Sequence, residues 1–123
     1  MSRDIVADIL NQIMNARRAK KTVVETNRVS KLLLNVLDIM KESGYIEYAL
    51  EDSILKITLK EVTECKAIKP RFTVSKKTLD KYVRRFLPSR NFGFVIVSTS
   101  KGLMTHHEAQ ENKIGGSLIA YFY

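Results

Sequence analysis

The stretch Ser98-Thr99-Ser100-Lys101-Gly102 places three small hydroxyl side chains, one cation and one glycine within five positions. Hydroxyl groups both donate and accept hydrogen bonds, so they can meet phosphate oxygens, ribose hydroxyls and exposed base edges. Glycine permits a tight turn or a close approach of the backbone to a ligand. Taken alone, these residues are more typical of an ordinary polar loop between a strand and a helix, but they would also suit a contact with RNA.

Basic charge is concentrated in two parts of the chain. The net charge is +8, and residues 66–90 hold nine Lys/Arg against the single acidic residue Asp80, whereas residues 1–65 hold ten of each sign. A second cluster, 17–21, follows the first helical pattern. Such patches favour a nucleic acid partner, because basic side chains displace the counterions of phosphates. Solubilising charge and, for residues 17–21, compensation of a helix dipole are the alternatives.

The cations expected to face phosphates fall in both patches. They are Arg17, Arg18, Lys20, Lys21, Lys69, Arg71, Arg84, Arg85 and Arg90.

The residue types offer little to catalysis or to a metal ion. His106 and His107 are adjacent, so on a helix they point about 100° apart and do not readily share a metal. Cys65 is distant in sequence, and no zinc-protease, P-loop or dinucleotide-binding motif occurs. We therefore predict no enzyme activity, no cofactor and no metal, with both histidines exposed on a helix cap. A small hydrolase centred on them would lack a nucleophile constellation.

Several features of the sequence favour the cytosol. The single cysteine, Cys65, cannot form an internal disulfide, as is usual in a reducing compartment. No apolar run approaches the roughly 20 residues that a membrane span needs. The first four residues contain a charged pair where a secretory signal would need apolar residues.

The first half of the chain predicts a compact α/β unit. Apolar residues recur every three or four positions over 5–14, with Asp4 as the helix cap, and again over 33–40, between a cap at Ser30 and a stop at Gly44. Residues 22–26 predict a short strand, and 45–50 with 54–60 predict a hairpin that turns at 51–53. This order gives two helices on one face of a small sheet.

A change of composition near residue 66 predicts a boundary between two units. Beyond it we expect strands at 71–75, 92–98 (central in its sheet) and 117–123, and helices at 77–87 and 105–111. Thr105 with Glu108 forms a capping box for the last helix, and 99–104 is predicted as a loop. The fold class is therefore α+β. An N-terminal α/β unit spans residues 1–65. A C-terminal, mostly antiparallel β unit with short helices spans 66–123 and contains the candidate RNA-contacting stretch 98–102.

The loop and its surroundings resemble a known family. The last part of the chain is similar to the C-terminal end of the universal family of small-subunit ribosomal protein eight. The similar segments are residues 96–105, Glu108-Ala109 and 115–123. Earlier segments resemble other parts of that family, so the likeness spans essentially the whole chain. These segments are residues 4–10 with Asn15-Ala16, Ser30-Lys31, and residues 42–46. The segments 69–72 and 86–93 resemble its archaeal and eukaryotic branch.

The resemblance implies a non-enzymatic, structural constituent of the small ribosomal subunit. Members of the family are primary binders of the central domain of the small-subunit ribosomal RNA, where they grip an irregular stem with an internal loop and stabilise its fold during assembly. It further implies a cytoplasmic protein that neighbours other small-subunit proteins, is monomeric when free, and uses no cofactor, membrane or small-molecule substrate.

Carried over by position, the resemblance also implies which residues read the RNA. These residues and several cations of the two basic patches make up the predicted RNA-binding set. The set is Asn15, Arg17, Arg18, Ser30, Lys31, Lys69, Arg71, Arg90, Ser98, Thr99, Ser100, Lys101, Gly102, Gly115 and Gly116. Gly115-Gly116 either shapes a turn or lets a ribose-phosphate chain pass close by. The chain departs from the family at Ile5, where proline is usual, and at Ser117, where bacterial members have glutamate.

Two other functions remain as alternatives. A DNA-binding transcription regulator of winged-helix type would read a groove with the second helix, but Asp38 and Glu42 on that helix suit base edges poorly. A purely structural partner of other ribosomal proteins would use the apolar end Tyr121-Phe122-Tyr123 as its contact.

Overall fold

The computed structural model describes residues 5–68, 73–88 and 92–123. The chain divides into two compact units, Met1–Cys65 and Lys66–Tyr123. Helices and two antiparallel sheets make up these units, which confirms the predicted α+β class. The predicted cap Asp4 and the predicted RNA contacts Lys69, Arg71 and Arg90 lie outside the described residues.

The N-terminal unit has two helices and a three-stranded sheet. Its elements are α1 (Ile5–Arg18), β1 (Val23–Thr26), α2 (Lys31–Glu42), β2 (Ile46–Glu51) and β3 (Ile54–Leu59). The antiparallel sheet has the order β1-β3-β2. Burial alternates along β3, with Leu55 and Ile57 buried and Lys56 exposed, so the sheet has one covered face. Helix α1 contacts β1 and helix α2 contacts β2, as the predicted packing requires.

Helix α2 begins and ends where its sequence predicts. The Ser30 hydroxyl accepts a hydrogen bond from the Leu33 N–H at 3.1 Å, which satisfies one of the helix's unpaired amides. At the other end Gly44 has a φ of +84°. Its N–H donates to the Lys41 carbonyl, and the Tyr45 N–H donates to the Met40 carbonyl, both at 3.0 Å. These two bonds form a Schellman motif.

Helix α1 ends in the same motif, but a lysine takes the place of the glycine. Lys20 has a φ of +61°. Its N–H donates to the Arg17 carbonyl at 3.0 Å, and the Lys21 N–H donates to the Ala16 carbonyl at 2.8 Å. A residue with a side chain is strained in this left-handed region, where glycine is not. The end of α1 therefore holds a positive charge at a position where glycine would be more stable.

The C-terminal unit contains a larger sheet and two helices. Its elements are β4 (Cys65–Ala67, whose first residue ends the N-terminal unit), β5 (Thr73–Val74), α3 (Leu79–Phe86), β6 (Phe94–Thr99), β7 (Gly102–Thr105), α4 (His106–Glu111) and β8 (Gly116–Phe122). The strand order is β4-β8-β6-β7, and β5 also pairs with β8. Strand β6 is central, as predicted. Apolar side chains of α3, β6 and β8, among them Val83, Val95 and Leu118, form the core.

The prediction of a loop at 99–104 is wrong. Strand β7 pairs antiparallel with β6, and Thr99 is opposite Gly102, so the chain reverses at Ser100-Lys101. Only Leu103 and Met104 provide apolar side chains in this segment, too few to show the alternation that marks a strand. Pairing with β6 and burial of Met104 decide the structure instead. Strand β4 was not predicted either.

The expected exposure of both histidines is also wrong for His106. Its side chain is 1% exposed, and its Nδ1 accepts a hydrogen bond from the Val95 N–H at 3.1 Å. The predicted helix cap at Thr105 is confirmed, because the Thr105 hydroxyl accepts a hydrogen bond from the Glu108 N–H at 3.3 Å. Helix α4 follows β7 directly and thereby turns His106 towards β6, which makes this histidine part of the core.

We expect Cys65 to resist alkylation in the folded protein. Burial, and secondarily the charge of Glu64, raise the pKa of its thiol from 9.0 to about 12, so at pH 8 the reactive thiolate is about a thousandfold rarer than in the unfolded chain. Iodoacetamide labelling followed by mass spectrometry measures the rate with and without urea. Rapid labelling of the native protein would contradict the buried site.

The raised pKa of Cys65 also means that the folded protein should lose stability as the solution becomes strongly alkaline. The folded state retains the thiol proton that the unfolded state loses, so the stabilisation that this group provides is complete below pH 9 and is lost as the pH rises towards about 12.

Candidate nucleic-acid interface

The turn between β6 and β7 is held by its own hydrogen bonds. The Thr99 hydroxyl donates to the Gly102 carbonyl at 2.9 Å and accepts from the Lys101 N–H at 3.1 Å. Gly102 has a φ of +106°, a backbone conformation that favours glycine. A Cβ there would meet nothing within 4 Å, so the preference for glycine comes from the backbone and not from crowding. Thr99, which was predicted to read RNA, therefore has a structural role in fixing the shape of the turn.

The tip of this turn projects into solvent. Ser100, Lys101 and Gly102 are exposed. Within the described part of the chain no hydrogen bond engages the Ser100 hydroxyl, so both its donor and its acceptor capacity are available to a ligand. The rigid turn therefore presents one hydroxyl and one ammonium group from adjacent positions.

Three further hydroxyls lie in a row across neighbouring strands. Thr73 of β5 is opposite Ser117 of β8, and Ser117 is opposite Ser98 of β6. Directly opposite residues project from the same face of a sheet, and the Thr73 Oγ1 and Ser117 Oγ atoms are 3.3 Å apart. We call Thr73, Ser117 and Ser98 the hydroxyl row. Sequence reasoning had selected Ser98 alone, because nothing local shows that residues 73 and 117 meet it.

Two glycines allow these strands to approach one another. A Cβ on Gly116 would overlap the carbonyl oxygen of Ser98, and a Cβ on Gly115 would overlap the carbonyl oxygen of Val74. The space beside each glycine is thus filled by the protein's own backbone and not by a ligand. Gly115 and Gly116 position the hydroxyl row, which favours the structural one of their two predicted roles.

In the N-terminal unit the cluster at the end of α1 borders a surface hollow of about 340 Å³. Four cations line this basic hollow: Arg17, Lys20, Lys21 and Lys60, with Glu61 as the single carboxylate. The Arg17 Nε donates to the Val62 carbonyl at 2.9 Å, which anchors the guanidinium against the wall. Lys60 was missed by sequence reasoning, since it reaches the hollow through the pairing of β1 with β3.

The other predicted contacts of this unit are spread along α1 and α2. Asn15 is exposed and lines a second shallow hollow together with Lys21. Arg18 and Lys31 are also exposed. The Ser30 oxygen caps α2, so this residue has a structural task whether or not its hydroxyl also reaches RNA.

Helix α3 supplies three of the described basic residues of the C-terminal patch. Lys81, Arg84 and Arg85 are exposed. The Arg84 guanidinium is 2.8 Å from the Asp80 carboxylate, and Arg85 lies 4.8 Å from the centre of the Tyr82 ring. This helix thus presents a strongly basic surface to solvent.

Neither a metal site nor a membrane span is found among the residues described. No group of three or more His, Cys, Asp or Glu side chains there could hold a metal ion. None of the helices there is long and apolar enough to cross a membrane.

Comparison with known proteins confirms the family that the sequence segments resemble. A family model described as ribosomal protein S8 matches residues 4–123. The chain is 50% identical to the small ribosomal subunit protein uS8 of the archaeon Nanoarchaeum equitans (strain Kin4-M), over the full length of both chains. Neither comparison supports the DNA-binding alternative. The chain belongs to the ribosomal protein S8 family.

Proposed function

We propose that this protein is a structural component of the small ribosomal subunit that binds ribosomal RNA. Its ligand is an irregular stem with an internal loop in the central domain of the small-subunit RNA, whose fold it stabilises during assembly. Family membership, and similarity to an archaeal protein of the small ribosomal subunit, support the assignment to that subunit. The observation that carries the RNA-binding role is the exposed, internally braced turn 99–102, together with the hydroxyl row in the same unit.

Two kinds of contact contribute to RNA binding. The cations of the basic hollow and of α3 neutralise phosphates, which speeds association and contributes affinity that does not depend on sequence. The hydroxyls of the turn and of the row then meet 2′-hydroxyls and base edges that an irregular stem exposes. Because the protein binds the folded RNA in preference to the unfolded RNA, it stabilises that fold by linkage.

The remaining parts of the proposal concern partners. We expect neighbouring small-subunit proteins as further contacts, a monomer in the absence of RNA, a cytoplasmic location within the subunit, and no catalytic step or cofactor.

Crosslinking in a cell extract of the source organism, followed by sequencing of the attached RNA, tests the proposed ligand. We expect the reads to concentrate on one stem of the central domain of the small-subunit RNA. A gel shift with that stem and with duplex DNA of equal length should show preference for the RNA. Reads spread evenly over all cellular RNA, or equal shifts, would overturn the proposal.

Lys20→Gly is expected to stabilise the fold and to weaken RNA binding at the same time. The exchange removes the strain of a left-handed lysine, which should raise the free energy of unfolding by about 1 kcal/mol. It also removes one cation from the basic hollow, so the slope of log K against log salt should become shallower by roughly 0.7–0.9. Urea unfolding and filter binding at several salt concentrations measure the two effects.

Lys113→Gly is the matched control. Lys113 has a φ of +57° and ends α4 with the same two bonds, from its own N–H to the Gln110 carbonyl and from the Ile114 N–H to the Ala109 carbonyl. This variant should gain similar stability but change the salt slope less, since Lys113 does not line the basic hollow. Equal changes in slope would show that the hollow has no special part in binding.

A further inference from the structure

A continuous series of aromatic side chains in the C-terminal unit is not used by the proposed readout. The aromatic row consists of Tyr82 and Phe86 on α3, Tyr121 on β8, Tyr123 and Phe92. The ring centres of Phe86 and Tyr121 are 5.4 Å apart, those of Tyr121 and Tyr123 are 6.3 Å apart, and those of Phe92 and Tyr123 are 5.9 Å apart. Tyr82 and Phe86 share a face of α3, since they are four residues apart.

The row reaches the surface at Phe92. This side chain is 51% exposed, among the largest exposures of any apolar side chain in the described residues. Beside it, Gly93 has a φ of +95°, and a Cβ there would lie 2.6 Å from the Tyr123 Cβ and 2.7 Å from the Phe122 carbonyl oxygen. The glycine therefore lets the chain pass close to the C-terminus, which holds the exposed Phe92 ring against Tyr123. Burial alone would favour placing such a ring inside the core.

Positive charge borders the other end of the row. Arg85 lies over the Tyr82 ring, and Lys81 on the same helix is exposed. Lysine is depleted in protein–protein interfaces, so the exposed Lys81 fits a surface that docks an apolar protein segment poorly. Aromatic rings beside cations are instead the combination that binds single-stranded nucleic acid, because bases stack on the rings while phosphates meet the charges.

We propose that the aromatic row binds unpaired nucleotides of an RNA strand by base stacking, with Phe92 and Tyr123 as the platform and α3 as the phosphate contact. This second RNA site rests on the proposed function only in that its ligand is RNA. Stacking is tolerant of sequence, since every base has a π-face. The row therefore suits a single-stranded segment next to the stem that the hydroxyls read.

A tryptophan placed at the exposed end of the row provides a direct probe. The chain has five tyrosines but no tryptophan, so Phe92→Trp introduces a single tryptophan, which can be excited selectively and which keeps the aromatic platform. Titration with a single-stranded oligoribonucleotide of ten adenosines should quench this emission. Phe92→Leu, which keeps an apolar side chain but removes the ring, should weaken binding of the same oligonucleotide about tenfold, as measured by anisotropy of a labelled strand.

Ile54→Ala is the control for loss of an exposed apolar side chain, because Ile54 is 46% exposed in the other unit. It should leave oligonucleotide binding unchanged. Unaltered affinity of Phe92→Leu would overturn the stacking site, as would equal losses in Phe92→Leu and Ile54→Ala. Binding of the stem tests the proposed function separately: Phe92→Leu should retain the preference for the cognate stem, whereas Ser100→Ala should retain the affinity for the oligonucleotide.

Discussion

Ser100→Ala is expected to lower affinity for the cognate RNA stem about tenfold and to leave binding to a stem with a scrambled internal loop almost unchanged. Ser100 is exposed at the tip of a turn that Thr99 and Gly102 hold in shape. Removal of its hydroxyl takes away a hydrogen bond and leaves a polar group of the RNA without its partner, which costs roughly 1–2 kcal/mol. Charge is unaltered, so the sequence-independent part of binding should persist. Filter binding with the two stems measures the ratio.

Lys101→Ala, one residue further along, provides the contrast. It removes a cation from the same turn, so it should weaken binding to both stems by a similar factor and make the salt dependence shallower by nearly one unit. If Ser100→Ala behaved in that way too, the turn would contribute only general attraction, and direct readout by its hydroxyl would be disproved.

Gly116→Ala should destabilise the C-terminal unit by about 3 kcal/mol, because a methyl group would overlap the backbone of Ser98 and no flexible side chain is available to yield. Strand β8 would have to move away from β6, and Ser117 would then leave Ser98. The variant should therefore lose stem preference even at temperatures where it remains folded. Urea unfolding monitored by circular dichroism gives the stability, and filter binding gives the preference.

Gly44→Ala separates this crowding from the ordinary cost of replacing a glycine. Gly44 has a φ of +84°, but a Cβ there would meet nothing within 4 Å. Only backbone strain opposes the substitution, so the loss should be about 1 kcal/mol. Equal losses in the two variants would mean that β8 can shift away from β6 at little cost, contrary to the structure.

Much of the architecture was predictable because its causes are local. The apolar period of α1 and α2, the Ser30 and Thr105 caps and the glycine that ends α2 act within a few residues of one another. Hydrogen bonds at helix ends and the 3.6-residue period need no knowledge of distant parts of the chain. The resemblance to the S8 family likewise came from contiguous segments, and the family comparisons confirmed it.

The parts that sequence reasoning mispredicted depend on contacts between distant residues. Leu103 and Met104 become a strand through pairing with β6, and His106 becomes buried because its Nδ1 accepts the Val95 N–H across eleven positions. Neither partner can be identified from the neighbouring residues. A short polar segment has no periodic pattern of its own, so the energy of long-range pairing decides its structure.

From the sequence alone came the α+β class, both ends of α2, the start of α4, the concentration of basic charge and the selection of 98–102 as a candidate contact segment. The tertiary structure alone brought Thr73 and Ser117 beside Ser98, showed that Gly115 and Gly116 make room for backbone, and placed Lys60 with the cations of α1. The physical reason is that charge and helix caps act locally, whereas strand register joins residues that chain distance keeps apart.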